Sequence, residues 1–367
     1  MSDQPAVAPA VKGVKHRAQA LDLVRAAAAI WVLTYHVWLY RLPQPNSPKR
    51  DGWLDYAFFE LRIGLVVFFV LSGYLLYRPL LRGDWRGAPR EVPLRAYYWR
   101  RIVRIVPAYY LAIVGAIILL WGVGDTPGVR LPPASDLWLF AFFLQNYSSE
   151  TLLTLDAPTW TLAVQAAFYF VFPLFLVFGS RMGRRAWFVP LALILFGVGW
   201  NWLSFKQGWG PIARLSLFAM LPYLALGMLV AHLPPARSRG VAVAMILGGA
   251  ALAIGDSLWH AIGWGDLATG VLRDVPGAIG YALIIVACAQ PVIGASDMLR
   301  PVEAFGRWSY GVFLWHLPLL LFMKGHGLLP GSGFLTWLQL VAVASIAGAL
   351  TWRFVEKPLL ARSRGSG

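Results

Sequence analysis

Apolar residues fall along this chain in long blocks broken by short polar stretches, at 20–40, 57–80, 103–124, 160–179, 186–204, 214–233, 240–260, 271–293, 308–325 and 333–355. A bilayer core needs about 20 apolar residues per helix, so each block is long enough to cross it. An eleventh block, 136–147, is too short to cross alone and reads as an interfacial or re-entrant helix. The pattern predicts an all-α, polytopic integral membrane protein with about ten spanning helices. A single membrane domain is expected over 20–356, between an N-terminal tail at 1–19 and a C-terminal tail at 357–367.

Composition supports that reading and closes off others. With 58% hydrophobic and only 13% charged residues in 367 positions, the chain is more apolar than a soluble domain of its length. The net charge of +15 could suit nucleic acid, but 18 Trp, 14 Tyr and the long uncharged runs fit a membrane protein with its arginines at one face. Taking Lys12, Lys15 and Arg17 as cytoplasmic, the inside loops become 81–102, 180–185, 234–239, 294–307 and 356–367. They carry Arg82, Arg86, Arg90, Arg95, Arg100, Arg101, Arg181, Arg184, Arg185, Arg237, Arg239, Arg300, Arg307, Lys357, Arg362 and Arg364.

The outside loops, at 41–56, 125–159, 205–213, 261–270 and 326–332, then hold Asp51, Asp55, Asp125, Asp136, Glu150, Asp156 and Asp266. If 136–147 crossed, every later basic loop would lie outside, so both termini are expected in the cytoplasm. Residues 1–19 have no apolar stretch ahead of a cleavage site, so they read as a tail and not a signal peptide. The one cysteine, Cys288, leaves no disulfide framework and no Cys-based metal site.

Ionisable groups inside spans are expensive and are therefore functional candidates. The first block holds three, Asp22, Arg25 and His36. Asp22 and Arg25 lie one turn apart on one face, and eleven further residues return His36 to within about 20° of it. The imidazole then sits about 16 Å beyond Arg25 along the axis. Asp22 and Arg25 could equally serve only to anchor the helix end. Arg101 and Arg104, spaced i and i+3 at the inner boundary of the third span, can face one pocket, and guanidinium forks suit phosphate. His316 places a second imidazole in the ninth span, either as a catalytic group or as a hydrogen-bonded core residue. His232 and His260, at span ends, read as structural. No HExxH or comparable spacing joins the histidines, so metal catalysis is not expected.

Six segments then resemble, in order, the motifs of the acyltransferase-3 family of bacterial membrane proteins. They are Asp22, Arg25 and His36 in the first span, Phe68 to Leu75 (FFVLSGYL), Arg101-Ile-Val-Arg104, Trp160 to Val164 (WTLAV), Ser309-Tyr310 with Leu314-Trp315-His316, and Arg353 to Pro358 (RFVEKP). The resemblance implies transfer of an acyl group, most often acetyl, from cytoplasmic acyl-CoA to a hydroxyl of a saccharide, glycoconjugate or small molecule, in the bacterial cytoplasmic membrane. It makes His36 the catalytic residue, as general base or as acyl-accepting nucleophile, with His316 and the position of Gln165 beside it. It associates Arg101 and Arg104 with acetyl-CoA or another acyl-CoA; Arg25 is a further candidate donor contact, and Asp22, Tyr310 and Trp160 are candidate substrate contacts. No metal and no nucleic acid is implied. Membrane lipids are expected neighbours, and homo-oligomers are left open.

One departure matters. Where the family's WSLxVE motif ends in glutamate, this chain has Gln165. An amide hydrogen-bonds but exchanges no proton at neutral pH. If the carboxylate orients the histidine, as in a triad, the chain should be slow or inactive. A competing reading is an exporter or flippase of a glycan, against which the lack of a visible internal repeat counts. The outer segments 41–56 and 125–159, with Trp53, Tyr56, Trp138, Gln145, Asn146 and Tyr147, suit a sugar or polyol acceptor.

Overall fold

Backbone N–H and C=O groups in hydrocarbon must find partners within their own segment, which makes helix the solution for every apolar block. The computed structural model describes residues 10–45, 52–82, 87–124, 126–234, 238–262, 268–272, 274–289 and 297–365, and no strand occurs among them. In chain order the α-helices are α1 (Ala10–Arg41), α2 (Trp53–Glu60), α3 (Gly64–Tyr77), α4 (Leu94–Leu120), α5 (Leu137–Ala141), α6 (Trp160–Met182) and α7 (Phe188–Lys206). They continue with α8 (Pro211–Arg214), α9 (Leu217–Val230), α10 (Arg239–Ile262), α11 (Val275–Cys288), α12 (Arg300–Gly325), α13 (Gly333–Thr351) and α14 (Lys357–Gly365). A short 3-10 turn, Leu61–Ile63, joins α2 to α3 into one crossing unit.

Among the described residues, nine helical units are long and apolar enough to cross a membrane, so the protein is a multi-pass, all-helical membrane protein. Helix α12 falls outside that count because Glu303, Arg307, Ser309 and His316 dilute its apolarity. It is 26 residues long, ample to cross at about 1.5 Å per residue, and it packs on α1, α4 and α13. Glu303, Ser309 and His316 are buried against its neighbours, which shield them from lipid, while Arg307 is exposed.

The ends of the elements differ from the sequence expectation. Helix α1 starts at Ala10, well before the apolar block begins, because Ala, Lys, Gln and Arg favour helix in water as well as in lipid. The C-terminal segment expected as a tail is likewise helical, as α14. The stretch 136–147 does not cross. It is broken into the five-residue α5 and 3-10 turns at Ala134–Asp136 and Gln145–Tyr147. Helices α4 and α6 therefore open on the same side, and the end of the bundle that carries 121–156 is called the outer end below. The side chains of Lys12, Lys15, Arg17 and Arg364, and Asp51, Arg86, Asp125, Arg237 and Asp266 altogether, lie outside the described residues.

Three buried apolar clusters meet along α1. The first joins α3, α6, α9 and α11 around Phe69, Phe168, Phe172, Leu224 and Ile285, and it reaches Leu21 of α1. The second joins the outer half of α1, through Leu33, Val37 and Tyr40, to Leu317, Leu320 and Leu321 of α12 and Leu340 of α13. The third packs Val32 of α1 against Tyr109 and Ala112 of α4, Leu155 of the outer loop, and Phe313 and Leu314 of α12. Helices α1 and α12 thus share two of the three cores, with the outer loop closing the third.

Lipid gives helices little hydrophobic reason to associate, so close packing through small residues holds the bundle together. A Cβ on Gly73 of α3 would run into the Leu224 carbonyl of α9, and one on Gly227 of α9 into the Val70 carbonyl of α3. A Cβ on Gly306 of α12 would run into the Asp22 carbonyl of α1. These are backbone contacts, with no flexible side-chain end to give way. Gly73→Val is accordingly expected to lower stability by about 1–3 kcal/mol, in the range of overpacked cores. An unchanged thermal midpoint for the detergent-purified variant would remove this contact from the account of the fold.

Candidate active site

The contact between α1 and α12 brings the two span histidines together. His316 Nε2 lies 3.2 Å from His36 Nδ1. His36 Nδ1 also lies 2.8 Å from the Val32 carbonyl, and His316 Nδ1 lies 2.6 Å from the Phe313 carbonyl. A carbonyl oxygen only accepts, so both Nδ1 atoms carry hydrogen. His316 Nε2 then holds a lone pair and accepts from His36 Nδ1–H. That assignment, inferred from the partners, leaves His36 Nε2 as a free lone pair.

Both rings are buried, at 7% and 1% exposed, so bulk water does not compete for these bonds. Tyr40 stacks on His36 at 6.1 Å, and Tyr35 meets it edge-on at 4.9 Å. His36 is therefore fixed on three sides. A proton arriving at its Nε2 would create an imidazolium stabilised by the Val32 carbonyl and the His316 lone pair. This is the support that an orienting acceptor gives a catalytic histidine. His36 stands five residues from the end of α1, nearer the outer end than the middle of the bundle.

A second polar set occupies the depth of Arg25 and below. Asp22 and Arg25 form an ion pair on α1. Arg104, exposed on α4, lies within electrostatic range of Arg25, Tyr310 and Glu356. Tyr310 donates to the Ile105 carbonyl at 2.9 Å, which ties α12 to α4 one residue past Arg104. Arg101 rests its guanidinium over the rings of Tyr97 and Tyr169 at 5.7 and 5.6 Å. Its Nε is buried without a partner, and Glu356 Oε1 is likewise unsatisfied. Arg25, Arg101, Arg104 and Tyr310 thus converge from α1, α4 and α12, while Trp160 stands apart at the start of α6, packed on Phe69 at 6.1 Å.

Gln165 belongs to this second set by its bonds. Its Nε2 donates to Ser72 Oγ at 2.7 Å and to Tyr169 Oη at 2.8 Å. It makes no hydrogen bond to His36, whose partners are Val32 and His316. Tyr169 therefore links the Gln165 amide to the cation of Arg101. Ser72 and Tyr169 were not singled out from sequence, although Tyr169 lies one helical turn beyond Gln165 and Ser72 lies inside the FFVLSGYL segment.

At the outer end Glu60, His260 and Asp274 bring ligand atoms within 4.8 Å of one another, a spacing that could hold a metal ion. A guanidinium already stands there. Arg62 NH1 lies 2.8 and 2.9 Å from the two Asp274 oxygens, and His260 Nδ1 lies 3.4 Å from Glu60. The group clamps α2, α10 and α11 together. His260 is thus part of an ionic cluster that its position at a span end did not reveal. A cavity of about 350 Å³ among Asn201, Ser204, Phe205, Arg214 and Gly270 is built by elements that carry neither histidine of the pair.

A family model described as an acyltransferase domain, the acyltransferase-3 model, matches residues 19–354. The chain belongs to the acyltransferase-3 family. Among its relatives, the O-acetyltransferase OatA of Staphylococcus aureus (strain NCTC 8325) is 21% identical over 360 residues, covering 92% of this chain and 56% of the relative. The peptidoglycan O-acetyltransferase OatA of Listeria monocytogenes serovar 1/2a is 25% identical over 366 residues, covering 92% of this chain and 55% of the relative. The chain spans just over half the length of these curated relatives. No solved structure matches it.

Within the acyltransferase-3 fold the Gln165 bonds can run in either direction, because serine and tyrosine hydroxyls both donate and accept. Gln165→Glu keeps both bonds, with the hydroxyls donating. Gln165→Leu strands two polar groups, a loss of about 1–3 kcal/mol. The thermal midpoints are expected to order as wild type and Gln165→Glu together, with Gln165→Leu clearly below. Equal midpoints for all three would mean that the Ser72–Gln165–Tyr169 chain carries no stability.

Proposed function

We propose that this protein is a membrane-embedded O-acyltransferase that moves an acyl group, most simply acetyl, from acyl-CoA to a hydroxyl of a glycan acceptor. The observation that carries the reading is the 3.2 Å pairing of His316 Nε2 with His36 Nδ1, which leaves one activated imidazole nitrogen in a dry site. In the reaction the acceptor hydroxyl gives its proton to His36 Nε2 as its oxygen attacks the thioester carbonyl. The carbon–sulfur bond then breaks, and the leaving thiolate takes up the proton held by His36. His316 holds His36 in the required tautomer throughout.

The donor enters from the side of Arg25, Arg101 and Arg104, taken as the cytoplasmic face because the basic loops collect there. Exposed Arg104 and half-buried Arg101, with its unpartnered Nε, offer fork donors to the donor's phosphates. Arg25 and His36 are eleven residues apart on one helix, so the acyl end reaches His36 about 16 Å further across the membrane. The acceptor meets it from the outer end. The glycan class is suggested by the relatives, of which the Listeria monocytogenes protein is a peptidoglycan O-acetyltransferase. Both termini then lie in the cytoplasm and the chain sits in the bacterial cytoplasmic membrane.

His36→Ala is expected to reduce acyl transfer from labelled acetyl-CoA by about 10²- to 10⁴-fold, as for loss of a general base. Donor affinity should stay unchanged, since the arginines are untouched. His316→Ala, which removes only the acceptor on Nδ1–H, should give a smaller loss in the same direction. Reconstituted vesicles and a thin-layer or mass readout of acylated acceptor measure both. Wild-type transfer rates in a folded His36→Ala protein would end this assignment.

A further inference from the structure

Helix α6 leaves the outer end of the bundle and α7 returns to it, and where α7 ends a cavity with polar walls has no part in the histidine pair. Its volume of about 350 Å³ lies within the roughly 300–1,000 Å³ of small-molecule sites. Asn201, Ser204 and Phe205 line it from α7, Pro211 and Arg214 from α8, and Gly270 from the segment Ala268–Leu272. Cavities that stay empty are apolar, whereas a polar one of this size holds water or a ligand. Ser204 is 1% exposed, and its Oγ has no hydrogen-bond partner. Asn201, also buried, uses its Nδ2 on the Ala219 carbonyl at 3.2 Å. A buried polar group without a partner normally finds one in the working protein.

The frame around the cavity holds its cation in place. Trp200 Nε1 and Ser216 Oγ both donate to the Ala213 carbonyl, at 3.1 and 2.8 Å, and Asn146 of the outer loop donates to the Leu215 carbonyl at 3.0 Å. These bonds fix the backbone on both sides of Arg214, whose side chain forms no ion pair among the described residues. A Cβ on Gly270 would run into the Phe205 ring, so glycine lets 268–272 close against the last turn of α7. The setting is interfacial. Trp202 is exposed with the Lys206 ammonium over its ring at 5.1 Å, and Leu203 and Ile212 are exposed next to the lining Ser204 and Pro211. Tryptophan gathers at the boundary between hydrocarbon and headgroups, and the headgroup layer is where lipid phosphates lie.

We propose that this cavity is a phosphate-binding site at the outer end of the bundle, in which Arg214 grips the phosphate and Ser204 Oγ is a second, buried donor to it. A guanidinium fork without a carboxylate is matched to two phosphate oxygens, and a hydroxyl that nothing else uses adds a further bond. Phe205 and Pro211 give an apolar wall to the carbon side of a phosphate ester. The phosphate belongs to the headgroup of a lipid or arrives free from solution, and the chemistry that recognises it is the same. The site shares no residue with the histidine pair or with Arg25, Arg101 and Arg104, so it stands whether or not the transferase reading does.

The test uses the full chain in a neutral detergent and titration calorimetry, with dioctanoyl phosphatidic acid, dioctanoyl glycerol and inorganic phosphate as probes. Phosphatidic acid is expected to bind about tenfold or more tightly than dioctanoyl glycerol, which lacks the phosphate. Arg214→Gln, at an exposed position, should weaken binding of the phosphate probe by about tenfold or more, and Ser204→Ala by less. Lys206→Gln removes a cation at the same end that does not line the cavity, and it should leave the affinity within about twofold. Displacement of phosphatidic acid by inorganic phosphate assigns the site to free phosphate, and a lipid that phosphate does not displace assigns it to a headgroup. Wild type that binds neither phosphate probe overturns the site. So does an Arg214→Gln protein that binds like wild type, equal weakening by Lys206→Gln, or equal affinity for dioctanoyl glycerol. Should Ser204→Ala fail to fold, Arg214→Gln decides alone.

Discussion

The approach of α12 to α1 is the constraint on which the rest of this molecule depends. Gly306 lets the α12 backbone come up against the Asp22 carbonyl, and from that crossing the two helices run together for long enough to bring His316 to His36. Both histidines are buried at that depth. Each solves the problem through a carbonyl of its own helix and then through the other imidazole. The pair is therefore a product of helix geometry: one carbonyl behind each ring fixes the tautomers, and the tautomers leave a single lone pair for chemistry. Two of the three apolar cores contain the same two helices, so displacement of either would disturb most of the packing as well as the site.

Most of the architecture is legible in the sequence, because lipid permits so few solutions. Once the apolar blocks are counted, helix is forced, and the failure of 136–147 to cross follows from its length. The helix ends are less legible. Ala10 to Gln19 forms helix beyond the apolar block because its residues are good helix formers, and hydropathy carries no information about helix in water. Helix α12 illustrates the opposite problem. Its polar residues weaken the membrane signal although three of them, Glu303, Ser309 and His316, are buried in the bundle interior.

The candidate site was legible residue by residue and not as an arrangement. His36, His316, Arg25, Arg101 and Arg104 stand out as groups that do not belong in hydrocarbon. Sequence spacing on one helix placed Asp22, Arg25 and His36 on a common stripe, and the Asp22–Arg25 ion pair is the local part of that stripe. The pairing of His36 with His316 spans 280 positions, and no periodicity reports such a contact. The same holds for Ser72 with Gln165, and for the Glu60–Arg62–Asp274 clamp, whose members come from three elements.

Gln165 gains a different meaning from this layout. Read in sequence, it stands where the family's glutamate would support the histidine, and the amide looks like a defect of catalysis. In the fold, His36 already has its support from Val32 and His316, and the amide bonds to Ser72 and to the tyrosine beneath Arg101. The charge balance around the proposed donor entrance follows from that. Among the described residues, Asp22 lies within electrostatic range of Arg25 and Glu356 within range of Arg104, and Glu303 and Arg307 both act on Asp22. A glutamate at 165 would place a carboxylate on Tyr169, over whose ring Arg101 rests, whereas glutamine adds no charge beside that guanidinium. An uncompensated guanidinium in such a place attracts an anion, and phosphate is the anion to which its fork is matched. On the proposed reading, the amide leaves Arg101 free of a neighbouring carboxylate and so open to a phosphorylated donor, while the proton chemistry is assigned to the histidine pair.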